Sequence, residues 1–193
     1  MYHKSGQSLG YWSVGTHFLR LAEGACKELT SSNNAWVIVS DHDSSGNYAE
    51  ATRWSDHSVG IAILFNFFHG IELLLKGFIG LKEKVPVDHR LTALYTIFEK
   101  HYAHSDLAPL IKAHVYSIEP HSPLGRFISA NGITIDNWYE ALKYPESKGG
   151  HPFSHFELKY GGESTVLFWS EIGKAALNLR LEAVALSREG DGA

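Results

Sequence analysis

Residues 65–80 read FNFFHGIELLLKGFIG. The stretch is mostly apolar and contains no proline, yet it carries His69, Glu72 and Lys76 at positions i, i+3 and i+7. At about 100° per residue these three fall within a stripe about 60° wide on one side of a helix. Leu64, Phe67, Phe68, Ile71, Leu74, Leu75 and Phe78 cover most of the remaining circumference. A helix apolar on most sides belongs at the centre of a fold, not at its edge. The stripe therefore either faces a groove or packs inside. Glu72 and Lys76 stand in the favourable order for an i, i+4 ion pair. Exposed, such a pair contributes about 0.3–0.5 kcal/mol. Buried, it adds little net stability, but removal of one partner costs roughly 3–5 kcal/mol. Two readings stay open: an intrahelical ion pair with a hydrogen-bonded core histidine, or a polar groove that receives a ligand or partner chain.

Working outward, the pattern predicts one long helix from about Tyr48 to Glu83, bent at Gly60 or Gly70. Upstream, Leu9, Trp12, Phe18, Leu19, Leu21, Ala22 and Leu29 recur near helical spacing over 9–30, and TSSNN (30–34) supplies turn formers. AWVIVS (35–40) reads as a strand or the apolar base of a loop, and DHDSSGN (41–47) as a polar loop. Downstream, Asp88 can cap a helix over 89–102 and Ser105 another over about 106–118. Residues 119–135 are rich in Pro, Gly and Ser and read as irregular. DNWYEALKY (136–144) looks like a short helix capped by Asp136, and FELKYGG (156–162) looks extended. Val166, Leu167, Trp169, Ile172, Ala176, Leu179, Ala183 and Leu186 mark a long amphipathic helix over 163–188. The sum is an all-α chain: one antiparallel helical bundle spanning 1–193, with irregular loops at about 31–47 and 119–162.

The bulk numbers fit that picture. A chain of 193 residues suits one domain and can bury roughly 70% of its unfolded surface. The formal net charge of −4 argues against grip on an extended nucleic-acid backbone by charge alone, though not against a local basic patch. Cys26 is the only cysteine, which excludes an intrachain disulfide or thiolate zinc cluster. The N-terminal MYHKSGQSLG lacks a signal-peptide apolar run. The apolar stretch 59–81 is interrupted by Asn66, His69, Glu72 and Lys76 and reads as too polar for a membrane span. The expectation is a cytoplasmic protein with no membrane partner.

FHGIELLLKGFI (68–79), DHRLTALY (88–95) and ALKYPES (141–147) together resemble the HEPN domain family, helical bundles of prokaryotes and higher eukaryotes. In that family a helix of the form H-x-x-E-x-x-x-K is followed by a GHDL-like turn and later by an RYP-like element. Here His89 stands at the turn histidine, Arg90 replaces the usual acid, and Lys143 stands where Arg is common. Many members are metal-independent ribonucleases with an R-x(4–6)-H signature. None of Arg20, Arg53, Arg90, Arg126, Arg180 and Arg188 has a His five to seven residues downstream. The nearest approach is Arg53-Trp-Ser-Asp-His57, whose i, i+4 spacing on a helix would still let the two side chains meet. The resemblance thus implies a non-catalytic binding or regulatory module, related to nucleotides or RNA and to prokaryotic defence or toxin–antitoxin systems. It also implies a homodimer or a cognate protein partner. A ribonuclease using Arg53 and His57, and a purely structural interaction protein, are the alternatives.

The expected binding residues are His69, Glu72, Lys76 and His89, with Lys143 and Tyr144 nearby. Lys76 and Lys143 would supply positive charge, and the histidines hydrogen bonds. His101/His104 and His151/His155 are the tightest histidine pairs, but zinc sites want three or four ligands, so no metal and no cofactor is expected. Asp41-His42-Asp43 lacks an ion-loop pattern. ESKGGH (146–151) lacks the phosphate-loop pattern, although Lys143, Lys148 and the Gly149–Gly150 amides could hold an anion.

Overall fold

The computed structural model describes residues 2–35 and 45–189, with side chains from 8 onward except those of 45–47, 138–140 and 189. Of the strand and loop expected over 35–47, residues 36–44 lie outside the described residues, and 45–47 begin a helix instead of continuing the loop. Eight helices follow in order: α1 (Tyr2–Ser31), α2 (Ser45–Ala51), α3 (Asp56–Lys82), α4 (Leu91–Tyr102), α5 (Leu107–Tyr116), α6 (Pro123–Asn131), α7 (Ile135–Ala141) and α8 (Val166–Glu189). Two short 3-10 turns, Phe156–Leu158 and Gly162–Thr165, precede α8. Among the described residues there is no strand, only an isolated bridge between Glu146 and Pro152. The fold is all-α.

The helix of the opening stretch is the central one. Every residue from Gly70 to Gly80 is buried. α1 packs along α3 and also against α8, α4 flanks α3, and α5 bridges α4 and α8. α1 runs antiparallel to α3. A Cβ on Gly70 would lie 2.6 Å from Leu19 Cγ, and one on Gly77 would lie 2.5 Å from Trp12 Cδ1. Those glycines let two helices approach more closely than a methyl group allows. By length and composition α3 suffices to cross a membrane, with mean hydropathy 1.7 over its most apolar window. The expectation that its polar residues disqualify it on composition was too strong. However, 56% of that window is buried inside the bundle, the position a core helix takes.

The long helix proposed from Tyr48 is interrupted at Thr52–Ser55, and α3 runs unbroken through Gly60 and Gly70. Here hydroxyls compete for backbone carbonyls: Thr52 Oγ1 donates to Tyr48 O at 2.9 Å, and Ser55 Oγ to Thr52 O at 2.8 Å. The first amide of α3 donates to the buried Asn34 Oδ1 at 2.7 Å. Asn34 Nδ2 also reaches Asp56 Oδ2 (2.9 Å), Gly162 O (2.8 Å) and Thr165 Oγ1 (2.9 Å). One asparagine, in left-handed backbone after α1 (φ 49°), thus ties the ends of three helices.

Several expected caps moved. Asp88 does not cap α4; its Oδ1 accepts from Arg90 N at 2.9 Å and so shapes the turn before the helix. Nor does Ser105 cap α5; its hydroxyl donates to Tyr102 O at 2.7 Å. Asp136 caps a different helix from its own, accepting from Thr92 N (3.2 Å) and Oγ1 (2.6 Å) in the first turn of α4. The segment 119–162 is less irregular than its composition implies. α6 starts with Ser122 Oγ accepting from Gly125 N at 3.0 Å, places Pro123 at its first position, and ends at Gly132 with φ 58°. That Ser-Pro start and Gly stop is the usual helix punctuation. Residues 156–158 and 162–165 form 3-10 turns, so 156–162 is not an extended piece.

Candidate functional site

Three polar side chains of α3 and one from the turn before α4 meet at a single carboxylate. Glu72 Oε1 accepts from Lys76 Nζ at 2.8 Å and from His89 Nδ1 at 2.7 Å. Glu72 Oε2 lies 3.4 Å from His69 Nδ1. The helix period brings His69 and Lys76 to Glu72, and the Asp88 turn brings His89. Arg90 holds that turn, with Nη2 2.6 Å from Asp88 Oδ2, and keeps the Asp88 carboxyl well below the usual carboxylate range.

The network runs from core to surface. The Glu72 and Lys76 side chains are 1% and 7% exposed, His69 24% and His89 66%. Burial alone would raise the pKa of Glu72. Hydrogen bonds from His69 and Lys76, the charge of Lys76 and the His89 hydrogen bond outweigh it and hold the carboxyl down at about 2. An ionised Glu72 needs hydrogen on His89 Nδ1, which leaves Nε2 as the outward ring nitrogen. His69 is fixed further by its neighbours, edge-on to Phe18 at 4.6 Å and stacked on Phe65 at 5.5 Å.

Lys143 and Tyr144 do not join this network. They line a cavity of about 600 Å³ one to three turns nearer the start of α3, together with His57, Ser58, Phe65 and Lys159. Phe65 separates the two places: Lys143 Nζ lies 5.8 Å from its ring centroid, while His69 stacks on the same ring. The expected six-residue groove therefore resolves into a four-residue network centred on the buried Glu72 and an adjoining cavity. The cavity lining holds three basic side chains and no carboxylate among the described residues. His57 Nδ1 is buried without a hydrogen-bond partner, and its ring lies 5.3 Å from that of Tyr160.

Sequence reading missed Lys159, Ser58 and Phe65 as cavity residues. A signal was present, because the face of α3 that carries the polar stripe continues backward at helical spacing through Phe65 and Ala62 to Ser58. Lys159 was hidden by the extended reading of 156–162. Arg53 and His57 do not share a helical face, since the 52–55 turn intervenes. Arg53 instead lies 3.8 Å from Glu50 and over the Trp54 ring.

The other candidates have ordinary partners. His101 Nε2 is 2.8 Å from Glu83, and His155 Nε2 is 2.7 Å from Ala141 O. In the 146–151 loop the Gly150 amide is already spent on Ser147 O at 2.9 Å. Cys26 is 1% exposed and burial pushes its thiol up to about 12, so it is no nucleophile. Among the described residues no group of three or more His, Cys, Asp or Glu side chains is placed to hold a metal ion.

Comparisons of the chain with protein-family models, curated proteins and solved structures found no match.

Proposed function

We propose that the chain is a HEPN-like binding or regulatory module, and that its ligand is a small anion with a planar or apolar body, as a nucleotide or a short RNA segment has. The observation that carries this reading is the cavity beside α3. Lys143 and Lys159 offer charge to a phosphate, Ser58 and Tyr144 offer hydroxyls, and Phe65 offers a face for a base. Ammonium groups in a site without carboxylates favour anions, and aromatic rings suit bases of any sequence. The Glu72 network supports the wall of this site, fixing His69 against Phe65. By the family resemblance we infer a homodimer or a pair with a cognate protein, in a prokaryotic defence or toxin–antitoxin role in the cytoplasm.

The test is thermal melting and calorimetry with nucleoside mono-, di- and triphosphates, unphosphorylated nucleosides and a short oligoribonucleotide. Phosphorylated ligands should raise the melting temperature and the nucleosides should not. Lys143→Ala and Lys159→Ala should each weaken binding while leaving the free protein's melting unchanged. Equal binding by nucleosides, or indifference to both substitutions, would sink the proposal.

A second reading, metal-independent ribonuclease activity, draws on one observation: the unpartnered buried nitrogen of His57 in the same cavity. An imidazole beside a bound phosphate could serve as acid or base toward a 2′-hydroxyl. RNA cleavage in the presence of a chelator should then fall by roughly a hundredfold or more in His57→Ala. Unchanged cleavage, or none in the wild type, removes this reading.

A further inference from the structure

A second cleft, of about 630 Å³, lies between α5, α6 and the start of α8 and shares no lining residue with the first. Its size falls in the range of small-molecule sites. Phe68, Leu124, Phe168 and Ile172 give it an apolar lining, and His114 of α5 stands in its wall. That imidazole packs edge-on to Phe67 at 5.0 Å, and burial pushes its pKa down to about 4. It therefore stays uncharged at neutral pH and places no cation in the cleft.

The charged groups around the cleft are not balanced. Arg126 lines it, but its Nε is 2.6 Å from Glu157 Oε2 and its Nη1 donates to His121 O, so its charge is paired and two of its five N–H groups are used. Glu119 accepts from His121 N at 3.1 Å through one oxygen only. Glu171, exposed on α8, makes no ion pair among the described residues. Two carboxylates thus face an apolar cleft whose one guanidinium is neutralised by a third. The first cavity has the opposite character.

We propose that this cleft binds an organic amine, with an apolar or aromatic body on Phe68, Leu124, Phe168 and Ile172 and its ammonium directed to Glu171 and Glu119. The site is independent of the anion cavity, and its fate does not depend on the function proposed above. A carboxylate ligand of the same shape would meet Glu171 and Glu119 unpaired, and a neutral one would leave them unused.

Three near-isosteric probes separate these cases: phenethylamine, 2-phenylethanol and 3-phenylpropionate, each titrated into the full chain at pH 7.5 by calorimetry and ligand-observed NMR. Phenethylamine should bind at least about tenfold more tightly than either of the others, the ratio expected for a charge-assisted hydrogen bond. Glu171→Gln should reduce its affinity by about tenfold. Ser117→Phe, which fills the cleft from an exposed position, should abolish binding, whereas Lys159→Ala in the other cavity should leave it unchanged. Melting curves of each variant establish that it is folded. No binding of phenethylamine, equal binding of the three probes, or binding that survives Ser117→Phe would overturn the assignment. The last outcome would mean attraction to the acidic surface at large.

Discussion

Replacing Glu72 with Gln removes one charge from the centre of the α3 network and almost no volume. Lys76, with its side chain 7% exposed, then keeps an ammonium in the bundle without its carboxylate. Breaking a buried pair in this way costs roughly 3–5 kcal/mol. The amide also presents hydrogens toward His69 or His89, which both donate to the carboxylate now. An independent route gives a similar figure. The Glu72 carboxyl titrates at about 2 in the fold, against an ordinary 4.5. Burial opposes that shift; the His69, Lys76 and His89 contacts more than overcome it. Each unit is 1.36 kcal/mol, so the ionised form favours the fold by about 3 kcal/mol.

The folded pKa is depressed, so this stability is fully present above about pH 4.5 and is lost as pH falls toward 2. Glu72→Gln should therefore lower stability at pH 7 by about 3–5 kcal/mol, or roughly 6–20 °C in melting temperature for a chain of this size. It should also remove the loss between about pH 4.5 and 2. The double variant Glu72→Leu/Lys76→Met should recover most of the deficit, because well-packed apolar residues can replace a buried pair without loss. Urea unfolding of the wild type and the two variants, repeated down the pH scale, tests this. A Glu72→Gln loss below about 1 kcal/mol, or no recovery in the double variant, would show that the network carries no buried charge to protect.

Gly70→Ala should destabilise by about 1–3 kcal/mol although alanine favours helix, because its methyl group would meet Leu19 Cγ at 2.6 Å and Gly15 O at 3.1 Å. Gly24→Ala on α1, where nothing lies within 4 Å, should stabilise by about 0.5–1 kcal/mol; denaturant midpoints of the pair decide it. His114, with its pKa pushed from 6.5 to about 4 by burial, keeps the fold stable above about pH 6.5 and costs it stability as pH falls from there toward 4. His114→Leu should flatten that part of the pH–stability curve and leave the Glu72 part between about pH 4.5 and 2 in place.

The central helix was legible because its signal is redundant. Apolar residues on most faces leave a helix no peripheral position, and residues 70–80 are buried as that requires. The all-α class and the long last helix followed from the same periodicity. What failed were boundaries set by side chains remote in sequence. The start of α3 is held by Asn34, and the first turn of α4 by Asp136, 44 residues away from Thr92. A carboxylate before a helical pattern signals a cap, but its spacing does not say which helix it serves. α6 was missed for a different reason. Composition rich in Pro, Gly and Ser was read as absence of structure, whereas Ser122, Pro123 and Gly132 are boundary residues whose positions, not abundance, carry the information.

The site shows the same division. His69, Glu72 and Lys76 share α3, so one helix period was enough to unite them, and His89 followed because a short turn limits how far it can move away. Lys143 and Lys159 reach their cavity from segments without regular periodicity, and only the packing of those segments against α3 decides which residues they join. The two polar groups on α3 consequently differ in kind. At the Glu72 carboxylate both oxygens have donors and Lys76 compensates the charge, so the carboxylate has little left to offer a ligand. At the His57 cavity the described lining carries two lysines and no carboxylate, and the buried Nδ1 of His57 lacks a hydrogen-bond partner. A satisfied network rigidifies a fold, whereas an unsatisfied one is where binding free energy remains available. That contrast, more than the motif that first drew attention to Glu72, puts the candidate ligand site at the start of α3.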